Sequence, residues 1–309
     1  LQSRAAAHGI DIYVVVMSGI LNANAPVFAK HPDVMGAPLN YGAPQDQCCL
    51  CSSSPKALEC YRESFTNLCR AIPGLGGVFI VVGGEGFIHC FTRPKPPLTG
   101  GTSCPRCAGR NASQDVAALV NTVAASVHAV DPQVKVLAWP YSAFAWSGES
   151  DPAQIEFIRS LSDDVQLMSN FDTPHPVEFG GGKAFLIDYN IVNIGPSEQF
   201  AAQSKVLAEL GKKHYAKYEN SVEPGWFFLP YLPLYYRWVE RAKQLRKWDV
   251  PGYMEKWEFY GFTGSLPEEI FSEMLWDTDL NPDELLMRIA RRDFGEISDK
   301  ILQGWRILS

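Results

Sequence analysis

The sequence lacks the long apolar run that a membrane-spanning helix requires. No stretch of about 18 consecutive apolar residues occurs in the chain, so we expect no transmembrane helix and no membrane partner. It also lacks an excess of positive charge, because the formal net charge is −7 at pH 7. This charge argues against a nucleic-acid partner. Residues 1–4 contain neither a Met nor the apolar core of a signal peptide. We expect that a segment was removed or that the chain begins inside a longer protein, and localisation stays open.

Several catalytic motifs are also absent. The sequence has no GxSxG nucleophile elbow and no GxxxxGK[ST] phosphate loop. It has no HExxH motif and only six histidines, which argues against a catalytic zinc. No glycine-rich phosphate fingerprint follows the first strand-like run, although an open doubly wound sheet would favour one there.

Cysteines are too few for a disulfide scaffold at this length, since the 309 residues include eight of them. Their clustering is more informative. Cys104 and Cys107 have the spacing of a metal-ligand pair, and Cys90, with His89 or Cys51, would complete a tetrahedral zinc site. Redox pairs and disulfides share the spacing. A structural zinc, disulfides and free thiols therefore all stay open, and we expect catalysis to require no cofactor.

What is present is an alternation of apolar runs and amphipathic stretches. The predicted strands are residues 10–17, 77–85, 134–141, 165–169, 214–219 and 252–258. The predicted helices between and after them are residues 55–71, 113–130, 152–161, 197–211 and 234–247, with further helices in 266–308. This order predicts an α/β fold with a parallel sheet and no Greek-key hairpins. Residues 18–55 and 86–112 read as two long loops.

The strand count favours a (β/α)8 TIM-barrel-like fold that is incomplete at the N-terminus. Six strands are clear, a seventh at residues 184–189 is ambiguous, and a closed barrel has eight. A doubly wound open sheet is the alternative. We expect residues 1–279 to form the catalytic barrel domain and residues 280–309 to form a C-terminal helical tail packed on the barrel.

Glu85 is the leading candidate for a catalytic residue. Residues 77–85 (GVFIVVGGE) form an apolar run that ends in two glycines and a carboxylate. A buried parallel strand reads as such a run, and catalytic groups lie at the C-terminal ends of barrel strands. The glycines allow a sharp backbone turn beside the carboxylate. The alternative is a structural role, in which Glu85 caps the next helix or pairs with Arg93.

Glu219 is the second candidate. Residues 215–219 also end on a carboxylate, and an aromatic loop that includes Trp226 follows them. Flat apolar rings suit the C–H faces of sugars. Two carboxylates on different strand ends form the arrangement that glycosidic bond cleavage needs. A pairing of Glu219 with Lys217 is the structural alternative.

Other polar and aromatic residues at predicted strand ends are candidates for binding hydroxyl groups or orienting a carboxylate. Taken singly, each polar member is typical of a satisfied structural group. The candidate substrate-binding residues are His89, Trp139, Tyr141, Asn170, Asp172, Asp188, Trp226, Trp257 and Glu258.

The order of these segments resembles the third and fourth strands of TIM-barrel glycoside hydrolases, most nearly the family 20 β-N-acetylhexosaminidases. The resemblance is carried by residues 7–14 (AHGIDIYV), by residues 79–85 (FIVVGGE) after a helix, and by the helical segment 281–305. It implies a barrel that acts on sugars. The family's Gly-Gly-Asp-Glu is Gly83-Gly84-Glu85-Gly86 in this sequence. One carboxylate of the pair that serves substrate-assisted catalysis on N-acetyl sugars is therefore missing.

The placement of the two glutamates looks like the clan A pattern of glycoside hydrolases. If residues 10–17 are the third strand and residues 184–189 are not a barrel strand, Glu85 ends the fourth strand and Glu219 ends the seventh. The resemblance then implies retaining chemistry, with Glu85 as acid/base and Glu219 as nucleophile.

The sequence therefore predicts a glycoside hydrolase with a carbohydrate substrate. One alternative is a carbohydrate-binding barrel that has lost catalysis, and another is a metal-dependent hydrolase with Cys and His ligands. The sugar, the linkage and the oligomeric state, a homo-oligomer included, are open.

Overall fold

The computed structural model describes the chain except for residues 17–18, 39–45, 84–88, 93–100, 142–150, 187–189, 191–192, 219–232 and 256–264. Its helices are α1 (Gln2–Ala6), α2 (Pro26–Lys30), α3 (Pro55–Ala71), α4 (Ala112–His128), α5 (Asp151–Ser160), α6 (Glu198–Glu209), α7 (Tyr235–Lys247), α8 (Leu266–Trp276), α9 (Pro282–Phe294) and α10 (Ser298–Leu308). Its strands are β1 (Tyr13–Val16), β2 (Ile20–Asn22), β3 (Met35–Pro38), β4 (Gln47–Leu50), β5 (Gly77–Val81), β6 (Lys135–Trp139), β7 (Val165–Asn170), β8 (His175–Phe179), β9 (Gly182–Leu186), β10 (His214–Lys217) and β11 (Tyr253–Met254). Within these ranges, no helix has both the length and the apolar character needed to cross a bilayer.

The six predicted strands are all present, and they form one sheet in the order β1-β5-β6-β7-β10-β11. The pairs β1–β5, β5–β6, β6–β7 and β10–β11 are parallel, as predicted. Every residue of β5 is buried, which explains its uninterrupted apolar sequence. The fold is mixed α/β, and its parallel sheet is compatible with part of a TIM-like barrel.

The chain divides into two compact units, of which the first comprises residues 1–169 and 203–214. Side chains alternate along its strands, so that Val78 and Ile80 of β5 and Val136 of β6 belong to one hydrophobic core. Residues of α3 and α4 complete that core. The helices thus cover one face of the parallel strands, as the alternating sequence pattern requires.

The sequence specifies where α3 and α4 begin. The Ser54 side chain accepts a hydrogen bond from the backbone N–H of Ala57, and Asn111 accepts one from Gln114. These caps satisfy backbone donors that have no partner inside a helix. The helices predicted at 55–71 and 113–130 are confirmed.

The second unit comprises residues 170–202 and 215–309. Its core is rich in aromatic rings and is built largely by α7, α8, α9 and α10. Leu286 of α9 and Trp305 of α10 are part of it. Residues 282–308 are thus helical, as predicted, and belong to the core of this unit. The assignment of 1–279 to a barrel and 280–309 to a tail stays a prediction.

The prediction that residues 18–55 form a loop is wrong. In the first unit, β2, β4 and β3 form a three-stranded antiparallel sheet. Each strand has only three or four residues, too few to show a two-residue period. A small core of Phe28, Val34, Cys48 and Ala57 accompanies the sheet. Tertiary packing, which local sequence does not display, therefore supports these strands.

Residues 184–186 of the ambiguous strand-like run belong to β9, which is part of a separate hairpin in the second unit, and residues 187–189 lie outside the described residues. β9 pairs only with β8 among the described strands, and the pairing is antiparallel. Most residues of β9 are exposed. The described part of this run therefore lies outside the parallel strands, and its pairing in an antiparallel hairpin is a feature that the sequence pattern did not predict.

His214 is a buried histidine of the first unit. Its Nε2 lies 2.7 Å from Ser169 Oγ, and its Nδ1 lies 2.7 Å from Ser204 Oγ. Burial lowers its pKa to about 3. The unfolded chain, with a histidine pKa of about 6.5, therefore binds more protons than the folded chain between these two values. Stability from the neutral ring is present above about pH 6.5 and is lost as the pH falls, by up to about 1.4 kcal/mol per pH unit.

We expect His214→Gln to reduce the slope of the unfolding free energy against pH between about pH 6 and about pH 4. Urea denaturation at a series of pH values measures that slope. His8→Gln is the control, because His8 is exposed, and it should leave the slope unchanged. Equal slopes for the His214→Gln variant and the wild type would contradict the burial of a neutral His214.

Candidate functional site

Four buried cysteines of the first unit converge on one point. The Sγ atoms of Cys51, Cys90, Cys104 and Cys107 all lie within 4.8 Å of one another. Cys51 Sγ is 3.7 Å from Cys104 Sγ and 3.8 Å from Cys107 Sγ. All four residues are fully buried, with 0% of their surface exposed. We call these four residues the cysteine cluster.

Three separate segments bring the cluster together. Cys51 follows β4, and its backbone N–H donates to the carbonyl of Val34 at 2.8 Å. Cys90 lies between β5 and α4. Cys104 and Cys107 share a tight turn before α4, in which the N–H of Cys107 donates to the Cys104 carbonyl at 3.1 Å. The cluster thus joins parts of the chain that are distant in sequence.

Hydrogen bonds also fix the backbone at Cys90. Its N–H donates to Ser52 Oγ at 3.1 Å, and its carbonyl accepts from Thr102 Oγ1 at 2.5 Å. Thr102 Oγ1 in turn accepts from the N–H of Cys104 at 3.1 Å. The three segments are therefore held by hydrogen bonds as well as by the proximity of their sulfurs.

Polar groups surround the sulfurs and alter their acidity. Arg106 Nε donates to Cys51 Sγ at 3.3 Å, and Ser53 Oγ is 2.8 Å from Cys107 Sγ. Hydrogen bonds from Cys104, and next from Cys107, lower the pKa of the Cys51 thiol. Hydrogen bonding with Cys104 raises the pKa of the Cys107 thiol.

The sulfur separations are longer than a disulfide bond. A disulfide requires about 2.05 Å between sulfurs, whereas Cys51 and Cys104 are separated by 3.7 Å. All eight cysteines are described, and each is a free thiol. Cys49 approaches the cluster as well, with its Sγ at 3.8 Å from Cys90 Sγ.

Gly36 of β3 packs directly against these sulfurs. A Cβ at this position would lie 2.6 Å from Cys49 Sγ and 2.9 Å from Cys90 Sγ. Because both sulfurs are buried, we expect Gly36→Ala to destabilise the fold by about 1–3 kcal/mol. Urea denaturation measures the change. Gly304→Ala is the control, since a Cβ there meets nothing within 4 Å. Similar unfolding midpoints for the two variants would contradict this close packing.

The structure brings two predicted aromatic residues together in the first unit. The rings of Trp139 and Tyr141 have centroids 4.6 Å apart, and Phe79 of β5 lies 5.8 Å from Trp139. The N–H of Val82 donates to the Trp139 carbonyl at 2.7 Å. The C-terminal end of β5 is therefore fixed beside this aromatic group.

His89 is fully buried, unlike a residue of an open cleft. Its Nδ1 accepts from the N–H of Phe91 at 3.2 Å, and burial lowers its pKa to about 3. Among the described residues, the cysteine cluster contains Cys51 and does not contain His89. The sequence left His89 and Cys51 as alternatives for the fourth ligand. The fold brings Cys51, and not His89, together with Cys90, Cys104 and Cys107.

In the second unit, Asp172 forms a buried ion pair that the sequence analysis did not anticipate. Its Oδ2 lies 2.7 Å from a terminal nitrogen of Arg241, which is fully buried. Asn190 Nδ2 also donates to Asp172 Oδ2, at 3.0 Å. Arg241 interrupts the apolar face of α7 between Trp238 and Leu245. A charged residue on that face is the sequence feature that indicates a buried ion pair. Asn170 is half-buried, and its Nδ2 donates to Thr173 Oγ1 at 2.9 Å.

Six of the predicted residues lie outside the described part of the chain, and their roles stay predictions. They are Glu85, Asp188, Glu219, Trp226, Trp257 and Glu258.

No protein-family model matches this sequence, and no curated protein matches it. The structure has glycoside hydrolases as structural neighbours. The glycoside hydrolase domain of PelA from Pseudomonas aeruginosa is 11% identical, with a TM-score of 0.41 over 81% of this chain and 79% of that one. The galactosidase domain of the α-galactosidase-sucrose kinase AgaSK is 11% identical, with a TM-score of 0.45 over 88% of this chain and 30% of that one.

The GH36 α-galactosidase AgaA from Geobacillus stearothermophilus is 10% identical, with a TM-score of 0.36 over 90% of this chain and 32% of that one. This chain thus spans about a third of the length of the α-galactosidases that it matches. At these identities and TM-scores, the function has to be argued from the residues.

Proposed function

We propose that this protein is a glycoside hydrolase in which Glu85 is the general acid/base and Glu219 is the nucleophile of a retaining reaction. The finer parts of the proposal, including a complete (β/α)8 barrel, rest on the sequence pattern. The observation that carries it is the C-terminal end of β5, where a buried parallel strand lies beside Trp139 and is followed four positions later in the sequence by Glu85.

This observation has two parts. β5 is buried throughout and pairs in parallel with β6, with Val81 opposite Trp139. The buried Trp139 ring and the half-buried Tyr141 ring lie at that end of the sheet, with their planes tilted by 31°. Glu85 follows Gly83, the last described residue of this segment, by two positions. Carboxylates at the C-terminal ends of parallel strands are the groups that cleavage of a glycosidic bond uses.

In the proposed reaction, Glu85 transfers the proton and Glu219 forms the covalent bond. Glu85, protonated, donates its proton to the leaving-group oxygen while the Glu219 carboxylate attacks the anomeric carbon. A glycosyl ester on Glu219 forms as the glycosidic bond breaks. Glu85 then takes a proton from water, which attacks the anomeric carbon and releases Glu219. The mechanism needs two carboxyl groups about 5–5.5 Å apart.

The cysteine cluster argues against a metal-dependent hydrolase at that position. A catalytic zinc keeps a coordination position open for water, whereas four cysteine ligands would fill a tetrahedral site. The aromatic group at the end of β6 favours carbohydrate chemistry instead.

A panel of aryl glycosides tests the proposal. We expect the wild type to release the aryl alcohol from at least one sugar, and we expect the double variant Glu85→Gln/Glu219→Gln to release none while its circular dichroism stays that of the wild type. Undiminished activity in the double variant would overturn the site. Wild-type binding to an oligosaccharide in calorimetry without any turnover would favour the non-catalytic carbohydrate-binding barrel.

A further inference from the structure

We propose that Cys51, Cys90, Cys104 and Cys107 bind one Zn²⁺ in a closed tetrahedral site, and that this metal, by fixing Cys90, supports the role of Glu85 five residues earlier in the sequence. The second clause rests on the proposed function, whereas the first stands on the geometry of the cluster alone.

The sulfur geometry fits zinc. A tetrahedral ion with Zn–S bonds of about 2.3 Å has its sulfurs about 3.8 Å apart. The measured separations from Cys51 Sγ to Cys104 Sγ and to Cys107 Sγ are 3.7 and 3.8 Å, and no pair in the cluster exceeds 4.8 Å. The two separations measured from Cys51 are therefore close to the edges of the required tetrahedron, and the other pairs lie within 4.8 Å.

The chemistry of the donors also fits zinc. Four thiols are soft ligands, and they select zinc over oxygen-preferring cations such as Mg²⁺ or Ca²⁺. On binding, the four thiols lose four protons to solvent and the ion accepts four sulfur lone pairs, which leaves a net charge of −2 on the site. The guanidinium of Arg106, whose Nε donates to Cys51 Sγ at 3.3 Å, offsets part of that charge. Ser53 Oγ, 2.8 Å from Cys107 Sγ, supplies a further polar neighbour.

The site would connect three segments that regular structure does not connect. Cys51 ends the antiparallel sheet, Cys104 and Cys107 precede α4, and Cys90 lies nine residues after the end of β5. The free energy of zinc binding adds to the free energy of folding, because the ligands are assembled only in the folded chain. The metal therefore stabilises these segments together.

The position of Cys90 links the metal to the proposed chemistry. Glu85 is five residues before Cys90 and four residues after Val81, the last residue of β5. Pairing with β6 holds β5 as far as Val81, and the metal would hold the chain at Cys90. Zinc acts here as a positioning element, and the proposed reaction does not pass through it.

Metal content tests the zinc site independently of any activity. We expect purified wild type to contain one zinc per chain by elemental analysis, and we expect Co²⁺ exchange to give the thiolate-to-cobalt absorption of a tetrahedral four-sulfur site. Cys104→Ser should lower zinc affinity by more than the roughly 10–100-fold that loss of a supporting group costs. Cys60→Ser is the matched control, because Cys60 is a free thiol of α3 outside the cluster, and it should keep full zinc content.

If Cys104→Ser fails to fold, titration of the wild-type thiols with a thiol reagent tests the site instead. Zinc should protect the four cluster thiols from a thiol reagent, and chelation should expose them, whereas the reactivity of the other four cysteines should not depend on zinc. Absence of zinc, with equal reactivity of the cluster thiols before and after chelation, would overturn the site, as would a disulfide within the cluster found by mass spectrometry. Iron in place of zinc would also overturn the choice of metal.

A separate readout tests the positioning role. If the aryl glycoside assay succeeds, removal of zinc should lower kcat and restoration of zinc should recover it, with a Cys60→Ser protein behaving as the wild type does. One zinc per chain together with unchanged kcat in the metal-free protein would remove the positioning role and leave the metal site intact. Inactivity of the zinc-loaded wild type on every sugar would count against the proposed function and leave the zinc result unaffected.

Discussion

Replacing Glu85 with glutamine is expected to lower kcat/KM for an aryl glycoside by about 10²–10⁴-fold, the usual contribution of a general acid or base. Glutamine has nearly the same shape as glutamate but carries no transferable proton, so binding should change little. The loss should be smallest for aryl groups whose alcohols are strong acids, since their oxygens depart without a proton. The measurement is kcat/KM across a series of aryl leaving groups.

Glu63→Gln is the matched control for this substitution. Glu63 is an exposed glutamate of α3, so its replacement should leave the kinetics unchanged. A Glu85→Gln protein with wild-type kcat/KM on poor leaving groups would contradict the acid/base role. A uniform loss across all leaving groups would contradict it as well, because it would indicate damage to binding or folding.

Replacing Arg241 with methionine is expected to destabilise the second unit by about 3–5 kcal/mol. The Arg241 guanidinium is 0% exposed and lies 2.7 Å from Asp172 Oδ2. It also donates to the carbonyls of Asn190 and Asn193, at 3.2 and 2.9 Å, and stacks over the Tyr218 ring at 4.0 Å. Methionine fills much of the same volume but leaves the Asp172 carboxylate buried without its counter-charge. Urea or thermal unfolding measures the loss.

Arg159→Met provides the comparison for Arg241→Met. Arg159 pairs with Glu209 at 2.8 Å, but about half of each side chain is exposed to solvent. Because water screens such a pair, its loss should cost less than about 1 kcal/mol. Equal destabilisation by the two substitutions would contradict the distinction between the buried pair and the exposed pair.

Long periodic segments of this fold could be predicted from the sequence. The buried face of α3 recurs at three to four residues, through Tyr61 and Phe65, and a serine cap precedes it. β5 and β6 are apolar because side chains on both of their faces are buried. Each of these signals is local, so reasoning from residue order finds it.

Short antiparallel strands could not be predicted in the same way. β2 has three residues, and its partner β4 contains adjacent cysteines, Cys48 and Cys49, which carry no alternating pattern. Their pairing depends on contacts that form only when the chain is folded. The β8–β9 hairpin was likewise hidden, because most of its residues are exposed and lack a core pattern.

The cysteine cluster was predicted in part. The CxxC spacing identified Cys104 and Cys107 as one pair, because two ligands on one tight turn are local in sequence. The remaining members come from distant segments, so spacing alone left Cys51 and His89 as alternatives. Arg241 was missed because a charged residue within an amphipathic helix is normally exposed, and its partner Asp172 lies 69 residues away.

The most direct test of the proposed function is the identity of the residue that becomes covalently attached to the sugar. A 2-fluoro glycoside of a sugar that the enzyme hydrolyses should react once per chain, because the fluorine slows hydrolysis of the glycosyl ester. Peptide mass spectrometry should then find the label on Glu219, and the Glu219→Gln protein should carry none. A label on another residue, or release of a product with inverted anomeric configuration and no label, would contradict the account.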